Sequence, residues 1–559
     1  MKNKNIYVLI IFLFCILGCQ ESFLDETPTD ELTTETYYTT EEDFETAITG
    51  VYGIFCTWRQ YMEFVPMIDM ATPAAVHGSS RYGQWHWGNS GFTPDDLTTS
   101  HLVYKYWQKW WLGIGRANEV LYRIEENGDD VFTTEGLEDR IKGEALFLRA
   151  LFYFHLTYIW GDLPLQTEPT GGDSYFPSKV DQSKIVEQIE SDLTKAIDLL
   201  PSVTEYRGTD DMGRASRGAA KALLGKTYCF EEDWENATTI LADLIDDGDY
   251  ELTSGSTGFN DQFWEEGENG EESIFEIQYA SGLDDQYNNA FVTYCAISGT
   301  GITTVSGDGY GYIQPTDWMV DKFETVNGYD VSSNYDSTKT DGSYAFSYSS
   351  DDPDFNPDSA FDNRDPRLKW TAMYEGSSYL SEKWPDNTFA ASSPDESNFS
   401  TVKYIVDQSS MYGSGMNLVV LRYADVLLLY AEALMEQNEL SEAASYVNMV
   451  RSRGSVNMPD VPSDVSSDQS SLREYIHDER IRELAFEYGH VFFDLRRWYG
   501  DGDYNYKGGL WVEEMTDYWT ANKLGHDCDA IDIDDHNILF PIPQDEIDLN
   551  PNLEQNDGY

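Results

Sequence analysis

Cysteine is scarce in this chain. Cys15, Cys19, Cys56, Cys229, Cys295 and Cys528 are all it has in 559 residues, and no two form a Cys-x-x-Cys pair. A structural zinc site, which needs closely spaced thiolates, therefore has no support. Cys229 falls on an apolar helical stretch and reads as core, while a disulfide among Cys56, Cys229, Cys295 and Cys528 stays open. Positive charge is also sparse. Only 36 Lys and Arg stand against 100 Asp and Glu, a net charge of −64. Such a field repels a phosphate backbone, so nucleic acid is excluded as a partner. It also disfavours polyanionic ligands, although a local basic patch remains compatible with it. The signatures of catalysis are missing as well: no HExxH, no GxSxG and no phosphate loop occurs. Past the first residues, no run is apolar and long enough to cross a bilayer.

What is present starts at the N-terminus. Lys2 and Lys4 precede an apolar stretch from Ile6 to Leu17, about 12 residues long. That is too short to span a hydrocarbon core of ~30 Å as a helix, and it reads as a secretory signal. Leu17-Gly18-Cys19 replaces the usual small-residue cleavage site and resembles a lipoprotein lipobox. Cys19 is then the lipidation site, and acyl chains contribute ~0.8 kcal/mol per buried CH₂ to membrane anchoring. Residues 1–18 form the signal, and 19–40 a polar leader rich in acids such as Glu21, Asp25 and Glu26.

Helical signals follow. Thr40-Glu-Glu-Asp43 carries a capping-box arrangement ahead of Phe44, Ile48, Val51, Tyr52 and Phe55 at helical spacing. Further helices are expected over Leu102–Arg123, Leu137–Trp160, Lys184–Leu200, Ser216–Phe230 and Trp234–Leu244. A second block is expected over Leu418–Gln437, Ser441–Arg453 and Leu472–Tyr488. Short turns between antiparallel partners, with alanine at the crossings, predict a mainly α fold of tetratricopeptide-like helix pairs. Between the blocks, residues 247–401 are rich in Gly, Ser, Asp, Asn and Tyr, with a short helical signal over Thr316–Val326. Their aromatics argue against disorder. A smaller excursion of the same kind covers Asp69–Ser100. The expected organisation is one domain over 41–559, with a helical scaffold over about 41–246 and 402–559. The loop-rich lobe over about 247–401 and the smaller excursion supply the working face.

Several blocks resemble the SusD/RagB family. They are Asn537-Ile-Leu-Phe-Pro-Ile-Pro-Gln544 with its continuation to Asn556, Glu479-Arg-Ile-Arg-Glu-Leu-Ala-Phe-Glu487 with Phe492–Trp498, and Leu421–Ala433. Others are Glu144–Arg149 with Trp160-Gly-Asp-Leu-Pro164, Gly213–Leu224, and the opening Cys19 with Phe23-Leu-Asp-Glu26 and Pro28. The resemblance spans the chain. It implies a lipid-anchored, cell-surface protein of a Gram-negative outer membrane. Such a protein binds glycan without catalysis and lids a SusC-like TonB-dependent barrel that imports oligosaccharide. The acids behind Cys19 look like a surface-export signal.

A neutral sugar presents hydroxyls at its rim and a C–H face that stacks on an aromatic ring. Arg81-Tyr-Gly-Gln-Trp-His-Trp-Gly-Asn89 suits this best, because Trp85 and Trp87 share a side if the loop is extended. Tyr82, Tyr287, Tyr294 and Tyr312 are further stacking candidates; Asp69, Arg81 and Asn89 are candidates for the sugar hydroxyls. Trp318 sits beside Val320 and Phe323 and reads as core. No cofactor is expected, although calcium is a possible ligand of Asp351-Asp-Pro-Asp354 with Asp358, or of Asp532–Asp535. Glu479 and Glu483 lie four apart with Arg480 and Arg482 between them, and read as a helical ion-pair network. A peptide-binding lid and a glycoside hydrolase are the competing classes.

Overall fold

The computed structural model describes residues 37–56, 68–69, 71–77, 98–169, 175–255, 258–281, 289, 291–292, 313–335, 346–374, 399–404, 414–498 and 538–559. Its first helix begins at the capping box. The Asp43 backbone N–H donates to the Thr40 hydroxyl at 3.2 Å, and the Asp43 carboxylate accepts from the Thr40 N–H at 2.9 Å. The helix that follows, α1 (Glu41–Tyr52), buries Phe44, Ile48 and Val51. Next come α2 (His101–Val131), α3 (Leu137–Trp160), α4 (Gln182–Leu199), α5 (Arg217–Phe230) and α6 (Trp234–Asp247), each of α2 to α5 packing on its successor. α2 runs past Arg123 because Ile124 continues the buried stripe. At Gly113 the two long helices approach so closely that a Cβ would stand 2.5 Å from the Phe152 ring. α3 stops at Gly161, whose φ of +74° a residue with a side chain rarely adopts.

Between these helices lies an aromatic core. Trp110 stacks on His155 with centroids 4.8 Å apart and planes within 3°, and Tyr106 and Phe152 close against the same indole. Burial and then Lys226 hold the His155 imidazole down at about 3, so it is a neutral core ring.

The second helical block contains α7 (Tyr423–Glu436), α8 (Leu440–Arg451), α9 (Gln469–Leu484) and α10 (His490–Arg497). α6 packs on α7, which joins the two blocks into one scaffold of helix pairs, as the helical periodicity predicts. Two boundaries differ from expectation. Leu418–Arg422 is a strand, not the first turns of a helix. Its Val-Val-Leu run is buried throughout and pairs antiparallel with Ser273–Ile277. A short apolar run fits either state by periodicity, and here a partner strand decides it. The helix expected to reach Tyr488 ends at Leu484. Phe486, Tyr488 and Gly489 all take positive φ (59°, 46° and 74°), which turns the chain into α10.

Among the described residues eight short strands build the lobe and its attachment to the scaffold: β1 (Ala75–His77), β2 (Ser273–Ile277), β3 (Ile313–Pro315), β4 (Ser332–Tyr335), β5 (Phe346–Ser349), β6 (Ala372–Tyr374), β7 (Phe399–Thr401) and β8 (Leu418–Arg422). They form four antiparallel ribbons, β1–β3, β2–β8, β4–β5 and β6–β7. Thr316 caps a short helix, Asp317–Asp321, within the stretch expected to be helical, and Trp318 packs half-buried against the core.

A buried ionic network fastens the lobe to the scaffold. Glu479 and Glu483 do not pair along their own helix face alone, as expected, but reach four arginines from three other stretches of the chain. Arg367 meets Glu479 at 2.6 Å and Glu483 at 2.9 Å. Arg422 meets Glu483 at 2.7 Å, Glu487 at 2.6 Å and Glu272 at 2.8 Å. Arg451 bridges Glu479 and Glu324, Arg453 bridges Glu272 and Glu483, Arg482 joins Glu324 to Glu479, and Lys403 reaches Glu487. Asp365 closes the set on Arg367. Six carboxylates thus face six cations, and none of the twelve side chains belongs to a residue more than 6% exposed. Burial pushes Glu483 up, but Arg453, Arg422 and Arg367 outweigh it and hold the group at about 2.

Candidate functional site

Of the candidate sugar ligands, Trp85, Trp87, Tyr82, Arg81, Asn89, Tyr287, Tyr294 and Tyr312 lie outside the described residues, as does Cys19. The structure does show the described residues that flank two of these segments. β1 and β3 pair antiparallel, with Val76 opposite Gln314 and His77 opposite Ile313. His77 is the last described residue before the stretch 78–97 that carries Arg81 to Asn89, and Ile313 the residue directly after Tyr312. The two excursions, more than 200 residues apart in sequence, therefore depart from one end of one ribbon. Around this ribbon the anchoring is dense. The Thr316 backbone N–H donates to the Ala74 carbonyl at 3.1 Å, its hydroxyl to the Pro73 carbonyl at 2.5 Å, and the Thr401 hydroxyl to the Ile313 carbonyl at 2.5 Å.

Asp69 is the one sugar-ligand candidate within the described residues, and it does not sit on a rim. It is 2% exposed, and its Oδ1 has no hydrogen-bond partner among the described residues. Burial raises its carboxyl to about 8 despite the nearby Lys403. A lone acidic side chain reads as surface, whereas the fold closes over this one, which Ile68 and Met70 flank, beside the Lys403–Glu487 end of the network. Its backbone carbonyl accepts from the Thr72 hydroxyl at 2.6 Å and caps the turn into β1.

Concavities among the described residues include one near Asp352 and one along α2. One, of about 320 Å³, is lined by Asn327, Asp352, Asp354, Phe355, Asn356 and Asp362 among others. Asp352 accepts from the Asn327 amide at 3.1 Å and from the Asp354 backbone N–H at 2.9 Å, so it braces its own loop. No group of three or more His, Cys, Asp or Glu among the described residues is placed to hold a metal ion, and the Asp351–Asp354 and Asp358 set is not gathered into one. Asp532–Asp535 lie outside the described residues. The other concavity, of about 480 Å³, runs along α2 beside Glu546. Lys105, Trp107, Gln108, Lys109 and Trp111 form its wall. The sequence carries a signal for it, since Lys105 and Lys109 are one helical turn apart beside three tryptophans. Glu479 and Glu483, the acids an enzyme reading would use, are both consumed by ion pairs. Cys56 and Cys229 are free thiols, and Cys229 is in the core as expected.

Comparison with known proteins adds to this geometry. Residues 271–559 match the model of the SusD family, and residues 22–229 match a family described as starch-binding associating with outer membrane. A SusD-like protein of Formosa agariphila, named P25, is 26% identical over 100% of this chain and 99% of its own length. The crystal structure of a SusD-like protein from Bacteroides fragilis covers 96% of this chain and 100% of its own, with a TM-score of 0.74 at 24% identity. A laminarin-binding SusD-like protein covers 93% of this chain and 100% of its own, with a TM-score of 0.60 at 23% identity. At these identities the two solved structures speak to the fold. No described helix is long and apolar enough to cross a membrane.

Proposed function

Because the chain belongs to the SusD family, whose model matches residues 271–559, we propose that it is a non-catalytic surface protein that captures a glycan. In this reading it hands the glycan to a TonB-dependent barrel in the outer membrane, and Cys19 carries the lipid that holds the chain there. The observation that carries the reading is the β1–β3 ribbon. It brings the departure points of both aromatic-rich excursions to one edge, so a platform from Trp85 and Trp87 and a rim from Tyr294 and Tyr312 can serve one ligand. The relative that binds laminarin, and the starch-binding description of the matched family, support a glycan as that ligand.

An exposed apolar patch on the scaffold supports a protein partner such as the barrel. Tyr175, Phe176 and Leu549 are 62%, 50% and 65% exposed. Asn552 and Asn550 tie their two segments together through the Phe176 and Pro177 carbonyls, at 2.7 and 2.8 Å. Exposed apolar groups gathered in this way mark protein interfaces.

Affinity gels with a panel of polysaccharides test the reading. The protein is expected to be retarded by at least one glycan, and Trp85→Ala to weaken that binding at least tenfold, a loss of ~1.4 kcal/mol. Retardation by none would turn the reading to a peptide ligand. Release of reducing sugar would overturn the absence of catalysis.

A further inference from the structure

The concavity along α2 is unlike the rest of the molecule. In a chain with 100 Asp and Glu against 36 Lys and Arg, a cation readily finds a carboxylate. Among the described residues, Lys105, Lys109 and Arg116 do not. They follow one another at i, i+4 and i+11, which places them on one face of α2. Among the described residues none of the three lies in an ion pair. Lys105 donates to the Gln108 side-chain carbonyl at 3.2 Å, and Arg116 to the Gly50 backbone carbonyl at 2.6 Å. Burial lowers the Lys109 pKa, and Arg116 and then Lys105 lower it further, so the three cations repel one another in the folded chain. Such repulsion is relieved when an anion arrives.

The groove also has the shape and wall for a sugar. Its volume of about 480 Å³ lies within the range of small-ligand sites, roughly 300–1,000 Å³. Trp107 and Trp111, with ring centroids 5.7 Å apart, line it together with the exposed Leu112. Aromatic wall beside ammonium groups matches a pyranose that carries a charged substituent. Glu546 is the one carboxylate in the lining, and it lies in no ion pair with either lysine. Burial and then Asp545 raise its pKa.

We propose that this groove is a second glycan subsite, for an acidic sugar residue bearing carboxylate or sulfate, with Lys105 and Lys109 reading the charge and Trp111 flanking the ring. The proposal rests on the glycan-capture reading and extends it: the captured polymer carries acidic units, which the ribbon-edge site alone would not select. The overall charge of −64 opposes a polyanion at long range, but screening at physiological salt confines that repulsion to ~8 Å, while contacts inside the groove persist.

The test uses the full-length chain in affinity gels and calorimetry at 0.15 M salt. The probes are polygalacturonate and a sulfated galactan, each beside its carboxyl-reduced or desulfated counterpart, with poly-glutamate as a control. At least one acidic polymer is expected to bind about tenfold tighter than its neutral counterpart. The double variant Lys105→Gln/Lys109→Gln should remove that preference and keep the binding of neutral glycan, with unchanged circular dichroism. Trp111→Ala, a half-buried ring, provides a second variant expected to weaken the acidic polymer. Neutral binding without acid preference would overturn the subsite and leave the capture reading standing. Binding of no glycan at all would overturn both. Equal binding of poly-glutamate would overturn the sugar assignment in favour of an acidic protein segment.

Discussion

Two groups of cations in this molecule use the same residue types to opposite ends. In the buried network, Arg367, Lys403, Arg422, Arg451, Arg453 and Arg482 each touch at least one carboxylate, and the charges cancel. On α2, Lys105, Lys109 and Arg116 touch none among the described residues. The first arrangement is closed: it is buried and has a partner for each charge. The second is open, and its repulsion persists until something external relieves it. Charge pairing inside the chain therefore separates the groups that hold the lobe on the scaffold from those free to meet a partner. It also explains why the abundant acids say little about catalysis. The two acids most eligible by spacing, Glu479 and Glu483, are locked by Arg367, Arg451, Arg422 and Arg453.

The sharpest break of this contrast is a change inside the network. Glu483→Gln removes the charge that Arg367, Arg422 and Arg453 share, and leaves cations buried without full compensation. The expected cost is about 3–5 kcal/mol, read as a lowered denaturation midpoint. Replacing the pair together, Glu483→Leu with Arg453→Met, should cost less than the single change, since a buried pair exchanged for apolar groups is often near neutral. A single change that costs under ~1 kcal/mol would show that the network does not fasten the lobe.

Acid titration probes the same group with a smaller effect. Glu483 is held at about 2 in the fold, against roughly 4.3 for a free glutamate. Between those values the unfolded chain binds the proton and the folded chain does not, so stability is full above about pH 5 and falls as pH drops toward 2. This one group accounts for about 3 kcal/mol of that loss. Urea midpoints for the wild type and Glu483→Gln should converge over this window. Parallel curves would mean that other carboxylates carry the acid sensitivity.

Much of the scaffold was legible because its cues are local. Thr40 with Asp43 announced α1, Gly161 with Pro164 ended α3, and the spacing of Leu, Ile and Phe gave α3 to the residue. The strand Leu418–Arg422 was not, because its state depends on Ser273–Ile277, some 145 residues earlier. The network was hidden for the same reason. Glu479 and Glu483 advertise pairs on their own helix, yet their main partners come from Arg367, Arg422, Arg451 and Arg453. Asp69 is buried, not on a surface rim, and the apolar Met67, Ile68, Met70 and Ala71 around it are the local cue for that burial. The α2 groove was half legible: Lys105 and Lys109 at i, i+4 beside Trp107 and Trp111 mark a mixed cationic and aromatic face. That Glu546 is the one carboxylate among the described lining residues, and forms no ion pair with either lysine, is a fact of tertiary packing. For the aromatic excursions, the sequence supplies the residue types and the structure supplies the shared edge of the β1–β3 ribbon.

The smallest expected effect sharpens the comparison most. If the α2 cations are held open for a ligand, removing one should cost the fold nothing. Lys105 and Lys109 are like charges one turn apart, an arrangement that destabilises a helix by ~0.2–0.5 kcal/mol. Burial also disfavours the Lys109 ammonium. Lys109→Gln keeps the stem and a hydrogen-bonding head but removes the charge. It should leave the denaturation midpoint unchanged or raise it slightly, with the gain shrinking in high salt as screening replaces the mutation. A network cation treated alike, such as Arg451→Gln, should fall by several kcal/mol under the same conditions. A clear loss of stability in Lys109→Gln would place this lysine among the structural cations and remove the distinction on which the groove depends.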